Sequence, residues 1–383
     1  MSLFNVYPLF DITPVKANDV FVYDENGTQY LDLYGGHAVI SIGHSHPTYV
    51  KNISEQVAKL GFYSNSIQNP LQVKLATELI KQSSCKEYQL FLCNSGAEAN
   101  ENALKLASFH TNKKKVISFT NSFHGRTSAA VAATDNAKIV APINAQQEVE
   151  FFDLGDLELV EKALKKEDVC AVIIECIQGV GGLDESTTEF YKGLEVLCRK
   201  HKTVLIADEV QSGFGRTGDF FAFQKHNITP DIISIAKGMG NGFPIGGILI
   251  HPTIKASYGL LGTTFGGNHL ACVACLTVLE VLEKESLLEN VRMISEYFIE
   301  KAAAIPEIKK IKGRGLMLGM EFNFPVAALR KELIFKHHIF TGSAKNPNLL
   351  RILPPLTIKK QHVDQFFAAL KNELSNVITN VVK

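Results

Sequence analysis

The sequence predicts an α/β protein with a mostly parallel central sheet, and three observations lead to this fold class. Apolar segments of strand length alternate with segments of helical period through the middle of the chain. Two of those apolar segments end in a charged residue, and neither an internal repeat nor a low-complexity linker interrupts the pattern. Such alternation is typical of parallel strands covered by helices on both faces. Strands are predicted near residues 88–93, 115–119, 169–174, 203–207, 231–235 and 246–250, with helices at about 97–110, 156–166 and 186–201.

The two ends of the chain predict a second, smaller α+β unit. Two strand-like segments flank the turn sequence at 24–27, which indicates a hairpin. We therefore expect a large domain at 46–274 and a small domain built from 1–45 and 275–383. Outside the alternating region, helices are expected at about 48–61, 70–83, 268–285, 286–303, 326–337 and 359–376, and strands at 309–312 and 316–322.

Composition excludes several classes of function. The 383 residues carry 39 basic and 39 acidic side chains, so no charge excess favours nucleic acid or an anionic membrane surface. Apolar runs are too short to span a bilayer, and the N-terminus lacks the pattern of a secretion signal. The seven cysteines are scattered and odd in number, which argues against a disulfide framework and favours a reducing cytoplasm. Cys272 and Cys275 lie at helical spacing and are interpreted as core residues.

Lys237 and Asp208 are the most informative residues of the chain. Asp208 ends one short apolar strand, and Lys237 lies just past the next. Parallel strands deliver such residues to one edge of a sheet, where ligand sites of α/β proteins form. A lysine that forms a Schiff base and an aspartate that holds a pyridinium nitrogen are the two main protein contributions to pyridoxal 5′-phosphate (PLP) chemistry.

Two segments are candidate phosphate sites. Ser95, Gly96 and Ala97 stand where a strand passes into a helix, so small residues and the helix N-terminus would favour an anion. An ordinary N-capped helix explains the same residues. The Gly-rich segment 262–268, which contains Thr264, precedes the long helix and has the same two interpretations.

Other motifs carry a chemical and a structural interpretation side by side. Phe123 is a candidate cover for a planar cofactor, and Arg126 a candidate bidentate carboxylate ligand; a core Phe and a solvated Arg are the alternatives. Glu175 ends a strand and is either a site carboxylate or a paired structural charge. The glycines of 238–242 do not open a helix, so nicotinamide binding is rejected. His44 and His46 have no further ligands nearby in sequence, and no metal site is expected.

Taken in order, these motifs resemble the class III (subgroup II) PLP-dependent aminotransferases of fold type I, and within them the acetylornithine/succinylornithine branch. The fold would be a large domain with a mostly parallel seven-stranded sheet plus a small α+β domain. The resemblance covers almost the whole chain. It rests on 31–39, 43–47, 94–101, 123–127, 208–211, 236–238, 262–268, 312–319 and 351–355.

The resemblance implies a role for each cofactor residue. Lys237 would form the Schiff base with PLP and move the proton between the substrate carbon and the cofactor. Asp208 would keep the pyridine nitrogen protonated, and Gln211 would bond the phenolic oxygen. Val210 and Phe123 would pack on opposite faces of the ring. Ser95, Gly96 and Ala97 would hold the phosphate, and Thr264 would reach the phosphate of a neighbouring subunit, which predicts a symmetric homodimer.

The resemblance also implies how substrate is bound. Arg126 would clamp the α-carboxylate and Arg351 a second carboxylate, with His37, Asn65 and Glu175 as further substrate-binding residues. The expected reaction moves the δ-amino group of N-acetyl- or N-succinylornithine to 2-oxoglutarate in arginine biosynthesis.

One position departs from the family pattern. Many members have Glu at the position of Val180, where it pairs with the C-terminal Arg when only one carboxylate is bound. Val180, together with His37, leads to the hypothesis that a succinyl group is favoured over acetyl; a repacked pocket is the alternative explanation. Ornithine and 4-aminobutyrate aminotransferases remain alternative functions, and a silent PLP-binding protein is a remote one because Lys237 and Asp208 are both present.

Overall fold

A seven-stranded sheet forms the centre of the molecule. The computed structural model describes residues 3–381, with side chains for 3–375. Five neighbouring strands run parallel, and β10 is antiparallel to both of its neighbours. The mostly parallel sheet predicted from the sequence is therefore confirmed. In spatial order the strands are β4 (Gln89–Cys93), β10 (Gly246–Ile250), β9 (Ile232–Ile235), β8 (Val204–Asp208), β7 (Val169–Ile174), β5 (Lys115–Phe119) and β6 (Val149–Phe152).

Edge strand β6 is the strand of this sheet that the pattern did not predict. It has four residues, pairs only with β5, and is only partly buried. An edge strand with one partner and an exposed side shows little of the apolar run that marks β7, where all six residues are buried.

Helices lie close to their predicted positions, except for a five-residue helix at 128–132 that was not predicted. Asn69 caps α3, Ser95 caps α4 and Asn268 caps α8, each by a side-chain oxygen that accepts a first-turn amide. The helices are α2 (Pro47–Lys59), α3 (Pro70–Ser83), α4 (Gly96–Thr111), α5 (Ser128–Ala132), α6 (Leu157–Leu164), α7 (Thr188–Lys200), α8 (His269–Lys284), α9 (Leu287–Ala303), α10 (Ala327–Phe335) and α11 (Lys360–Val381). The segment α1 (Gly35–Ala38) is a turn with left-handed φ at each residue.

Two small four-stranded sheets lie in the terminal segments, and one of them joins the two ends of the chain. One has the order β1-β2-β3-β13, and the other β11-β12-β15-β14. Strand β13 pairs in parallel with β3, so an N-terminal hairpin and the C-terminal region share one sheet. Their strands are β1 (Pro14–Asn18), β2 (Phe21–Asp24), β3 (Gln29–Asp32), β11 (Lys310–Arg314), β12 (Met317–Glu321), β13 (Ile339–Phe340), β14 (Gly342–Ser343) and β15 (Leu349–Ile352). The domain division at residues 46 and 274 stays a prediction.

The core is continuous between the large sheet and the terminal segments. One cluster of buried side chains runs from Leu205 on β8 through Val278 on α8 to Phe366 on α11. Cys272 and Cys275 are fully buried within α8, as expected for core residues, and all seven cysteines are free. Among the described residues, no helix combines the length and apolar character needed to cross a membrane.

Candidate active site

A cavity of about 350 Å³ opens at the edge of the sheet where the parallel strands end. Its wall is formed by the loops after β4, β5, β7, β8 and β9, as expected for ligand sites of parallel sheets. Ten of the predicted site residues line it: Ser95, Gly96, Ala97, Phe123, Arg126, Glu175, Asp208, Val210, Gln211 and Lys237.

Lys237 follows β9 and adopts a left-handed backbone conformation with φ of 49°. Burial lowers the pKa of its ammonium group to about 8, while the nearby carboxylates of Asp208 and Glu175 raise that pKa and Arg351 lowers it. About a tenth of the side chain is therefore a neutral amine at pH 7, far more than for a lysine with an ordinary pKa. Such an amine can attack a carbonyl carbon or accept a proton.

Asp208 is buried at the end of β8 and is held by three donors. Its Oδ2 accepts from Asn100 Nδ2 and from His124 Nδ1, each at 2.7 Å, and its Oδ1 accepts from Val210 N at 3.0 Å. Donation from Nδ1 leaves His124 Nε2 as the free ring nitrogen, and this atom is buried without a partner. The three donors thus hold the Asp208 side chain in one position at the cavity wall. Asn100 and His124 were not predicted, although His124 lies within the motif at 123–127.

Glu175, at the end of β7, supplies a second carboxyl group. Phe123 N donates to Oε2 at 2.9 Å and Gly179 N donates to Oε1 at 3.0 Å. Burial raises the pKa of Glu175 to about 7; His124 lowers that pKa and Asp208 raises it. Glu175 therefore positions the turn that carries Phe123 and titrates close to neutral pH.

The N-terminus of α4 forms the anion-binding end of the cavity. Ser95 Oγ accepts from Glu98 N at 3.2 Å, which confirms the predicted cap. The first intrahelical bond runs from Ala99 N to Ser95 O, so the amides of Gly96 and Ala97 precede the hydrogen-bonded turns. A Cβ added at Gly96 would lie 2.5 Å from Val210 Cγ1. Because the start of α4 packs this closely against Val210, position 96 requires glycine.

Asn65 and Thr264 lie outside the cavity wall of their own chain. Asn65 Nδ2 donates to the carbonyls of Thr263 at 3.1 Å and Gly266 at 3.0 Å, and its Oδ1 accepts from Gln72. Asn65 therefore fixes the 262–268 loop. Thr264, in that loop, is exposed.

Arg351 and His37 come from the terminal segments and adjoin the cavity. Arg351 is buried on β15, donates from Nη1 to Gly179 O at 2.6 Å and from Nε to Ser343 O at 2.5 Å, and has its pKa lowered by burial. The carbonyl of His37 accepts from Gln211 Nε2 at 3.4 Å. Desolvation lowers the pKa of the His37 ring, and the positive charges of Arg351 and Lys237 lower it further.

These residues together fit PLP. A depressed-pKa amine, a buried carboxylate held by three donors and a helix N-terminus with free amides match the aldehyde, ring nitrogen and phosphate of that cofactor. The side chains of Phe123 and Val210 border the same cavity. Gln211 Oε1 and His124 Nε2 are buried atoms still lacking a partner.

Comparison with known proteins agrees with this chemistry. The family model described as Aminotransferase class-III matches residues 5–374, and the chain belongs to that family. It is 40% identical over 385 residues to the acetylornithine aminotransferase of Aquifex aeolicus, with 97% of this chain and 99% of the relative covered. The corresponding protein of Bacillus subtilis is 37% identical, with 98% of each chain covered.

Solved structures show the same fold. The N-acetylornithine aminotransferase of Stenotrophomonas maltophilia is 30% identical, with a TM-score of 0.82 and 98% of each chain covered. An ornithine aminotransferase of Toxoplasma gondii, described with partial occupancy of PLP at its active site, is 27% identical, with a TM-score of 0.90 and coverage of 98% of this chain and 93% of that one.

Proposed function

We propose that the protein uses PLP to move the δ-amino group of an N-acylated ornithine to 2-oxoglutarate, giving the semialdehyde and glutamate in arginine biosynthesis. The observation that carries this proposal is the meeting of Lys237, Asp208 and the α4 N-terminus in one cavity. The name carried by the 40% and 37% identical relatives supports an acylated ornithine over free ornithine, since the ornithine aminotransferase compared above is 27% identical.

Bound PLP supplies an electron-withdrawing ring that stabilises negative charge at the carbon bearing the amino group. Asp208 would hold the ring nitrogen of the cofactor, and His124 and Asn100 keep the Asp208 carboxyl group in place by their hydrogen bonds. The amides of Gly96 and Ala97 bind the phosphate.

Lys237 carries the proton transfers. Its pKa of about 8 leaves enough neutral amine to take a proton from the carbon that bears the amino group. Val210 and Phe123 border the cavity and would enclose the ring, and Gln211 would bond its phenolic oxygen. Lys237 thus accepts the proton, whereas a different residue, Asp208, stabilises the charge on the ring.

The two arginines bind carboxylates in the proposed complex. Arg126 stands exposed at the cavity wall and clamps the α-carboxylate, and Arg351 binds the second carboxylate of glutamate or 2-oxoglutarate. His37 adjoins Arg351, and Asn65 acts on substrate through the loop it fixes.

A symmetric homodimer in the cytoplasm completes the proposal. Thr264 is exposed on a loop fixed by Asn65, and the rings of Phe62 and Phe265 meet beside it with 5.4 Å between centroids. These rings are 41% and 61% exposed, and other large apolar side chains are exposed in the same segments. An exposed apolar group of this kind marks an interface, which would bring Thr264 to the partner's phosphate.

The first test is single-turnover absorbance of purified protein loaded with PLP. N-succinylornithine, N-acetylornithine, ornithine and 4-aminobutyrate are mixed separately, and loss of the visible band of lysine-bound cofactor is followed. We expect fast loss with an acylated ornithine and no band in Lys237→Ala; Lys255→Ala, a surface lysine change, is the control. Conversion only with ornithine or 4-aminobutyrate would replace the substrate, and a stable band with every amine would leave a silent PLP-binding protein.

A further inference from the structure

A group of side chains from the terminal segments stands next to the cofactor cavity. Tyr34 and His37 come from the turn after β3, Arg330 from α10 and Arg351 from β15. We call these four residues the arginine cluster. Tyr34 Oη lies 2.5 Å from His37 Nδ1, and the Arg330 guanidinium lies 6.0 Å from the centre of the Tyr34 ring.

Neither arginine of the cluster is neutralised. Arg351 donates to the carbonyls of Gly179 and Ser343, and Arg330 Nε donates to the Thr341 carbonyl at 2.8 Å. Burial lowers the pKa of both guanidinium groups, and within residues 3–375 neither forms an ion pair with an acidic side chain. Two partly desolvated cations without an anion are costly, which favours an anionic ligand.

The side chain at position 180 supplies no carboxylate to Arg351, because it is valine. The carbonyl of Val180 accepts from Lys345 N at 2.9 Å, and the preceding residue, Gly179, accepts from Arg351. A side chain at this position therefore stands one residue from the arginine contact, and valine offers no carboxylate. Glu175, the carboxyl group whose charge raises the pKa of Arg351, already accepts from two amides.

The cluster lies within electrostatic reach of the reacting amine. The charge of Arg351 lowers the pKa of both Lys237 and His37, and the charge of Arg330 lowers the pKa of His37 and Arg351. Contacts also join the two places: Arg351 donates to the carbonyl of Gly179, and a Cβ at Gly179 would meet Gln211 Oε1, a side chain of the cavity wall. A substrate whose amino group meets Lys237 can thus extend its other end towards the cluster.

The turn that carries His37 is rigidly built. Asp32 Oδ1 accepts from the amides of Tyr34 at 2.9 Å and Gly35 at 2.8 Å, and Asp32 Oδ2 pairs with His44 Nε2 at 2.8 Å. The backbone then stays left-handed through His37, with φ of 66°. A Cβ at Gly35 would stand 2.8 Å from Leu353 O, so the turn packs tightly on the strand region of Arg351.

We propose that the arginine cluster binds the terminal carboxylate of a dicarboxylic acyl group, so that N-succinylornithine is a better amino donor than N-acetylornithine. The proposal deepens the proposed function and rests on it. In the proposed complex the guanidinium groups of Arg330 and Arg351 bind the carboxylate. The contacts of Tyr34 with Arg330 and with the ring of His37 hold the cluster together. An acetyl group leaves both cations without an anion, whereas a succinyl group supplies one.

The test compares the first half-reaction with the two donors, so that 2-oxoglutarate is absent. We expect kcat/KM to favour N-succinylornithine by about tenfold or more, which corresponds to one net charge-assisted contact. Arg330→Gln should lower kcat/KM for N-succinylornithine roughly tenfold while that for N-acetylornithine stays within about threefold. Arg330→Lys should retain part of the preference. Arg292→Gln, which removes an exposed arginine of α9, should change neither value.

The results separate this proposal from the proposed function. Equal or better turnover of N-acetylornithine by the unaltered protein overturns the carboxylate site and leaves the aminotransferase function standing. An equal loss for both donors in Arg330→Gln shows a structural role and also overturns the site. Failure of both acylated ornithines overturns the proposed function itself.

Discussion

Replacing Gly96 by alanine tests the contact between the proposed phosphate-binding end of the cavity and the side chain of Val210. Gly96 is the first residue of α4, and an added Cβ would lie 2.5 Å from Val210 Cγ1 and 3.1 Å from Cγ2. Val210 is β-branched and its amide is tied to Asp208, so it has little freedom to rotate or retreat except into the cavity. The substitution therefore competes with cofactor for the same space.

The magnitude follows from two opposing effects. Alanine is favoured over glycine in a helix by up to about 1 kcal/mol, which offsets strain in the cofactor-free protein. To regain the 3.4 Å of ordinary contact, Val210 Cγ1 must move by about 0.9 Å. Overpacking of this kind costs about 1–3 kcal/mol when the neighbour cannot yield. Once the ring is bound, Val210 cannot yield, so we expect roughly 5- to 150-fold weaker cofactor binding.

The assay is equilibrium binding of pyridoxamine 5′-phosphate, which has no aldehyde and so reports non-covalent contacts. Gly96→Ala should weaken binding with little change in the Tm of the cofactor-free protein, and Gly96→Ala/Val210→Ala should recover much of the loss. Gly61→Ala is the matched control, because its Cβ would meet only Leu270 Cδ1 at 3.4 Å. Unchanged binding of pyridoxamine 5′-phosphate by Gly96→Ala would refute the reasoning. So would a loss of binding free energy in the double variant that equals the sum of the losses in the two single variants.

Three further predictions concern proton transfer, charge and assembly. The pKa of Lys237 is lowered from 10.5 to about 8, so the rate at which cofactor-free protein captures PLP should rise with pH and level off above about 8. Because Asp208 raises this pKa, Asp208→Asn should move the midpoint of that profile to lower pH; an upward shift would contradict the coupling. Val180→Glu should lower kcat/KM for N-succinylornithine roughly tenfold by pairing with Arg351, with little change for N-acetylornithine. Mixing inactive Thr264→Val and Lys237→Ala subunits should restore activity, since one site of each mixed dimer is then intact; no recovery would place Thr264 in its own site.

The sequence was sufficient for elements whose signals are local. The caps at Ser95 and Asn268 and the apolar runs of the inner strands depend on neighbours a few residues away. Local signals of this kind predicted the helices other than α5, and six strands of the large sheet, closely. Strands β13, β14 and β15 were not predicted. Two of them have two residues, β13 and β15 depend on partners distant in sequence, and β14 pairs only with β15. Their stability comes from pairing, which no local pattern records.

The same distinction applies to the site. Asp208 and Lys237 were predicted because each ends a strand, and parallel strands deliver their ends to one edge. Asn100 and His124 were missed, and they bond Asp208 from 108 and 84 residues away in sequence. Arg330 was missed for a different reason. On α10 it is an ordinary arginine, and only the fold places it against Tyr34.

The division between chemistry and specificity follows the architecture. Lys237, Asp208 and Glu175 stand at the ends of buried strands of the large sheet, where any displacement disturbs a fully packed layer. The arginine cluster comes instead from a turn, a short helix and a strand of a four-stranded sheet in the terminal segments. A change at position 37, 180 or 330 therefore alters what the far end of the substrate meets without moving the groups that bind cofactor or carry protons. With the proposed role of the cluster, we expect relatives with the same cofactor residues to differ in their preferred acyl group, and residues of the cluster to predict that group better than overall identity does.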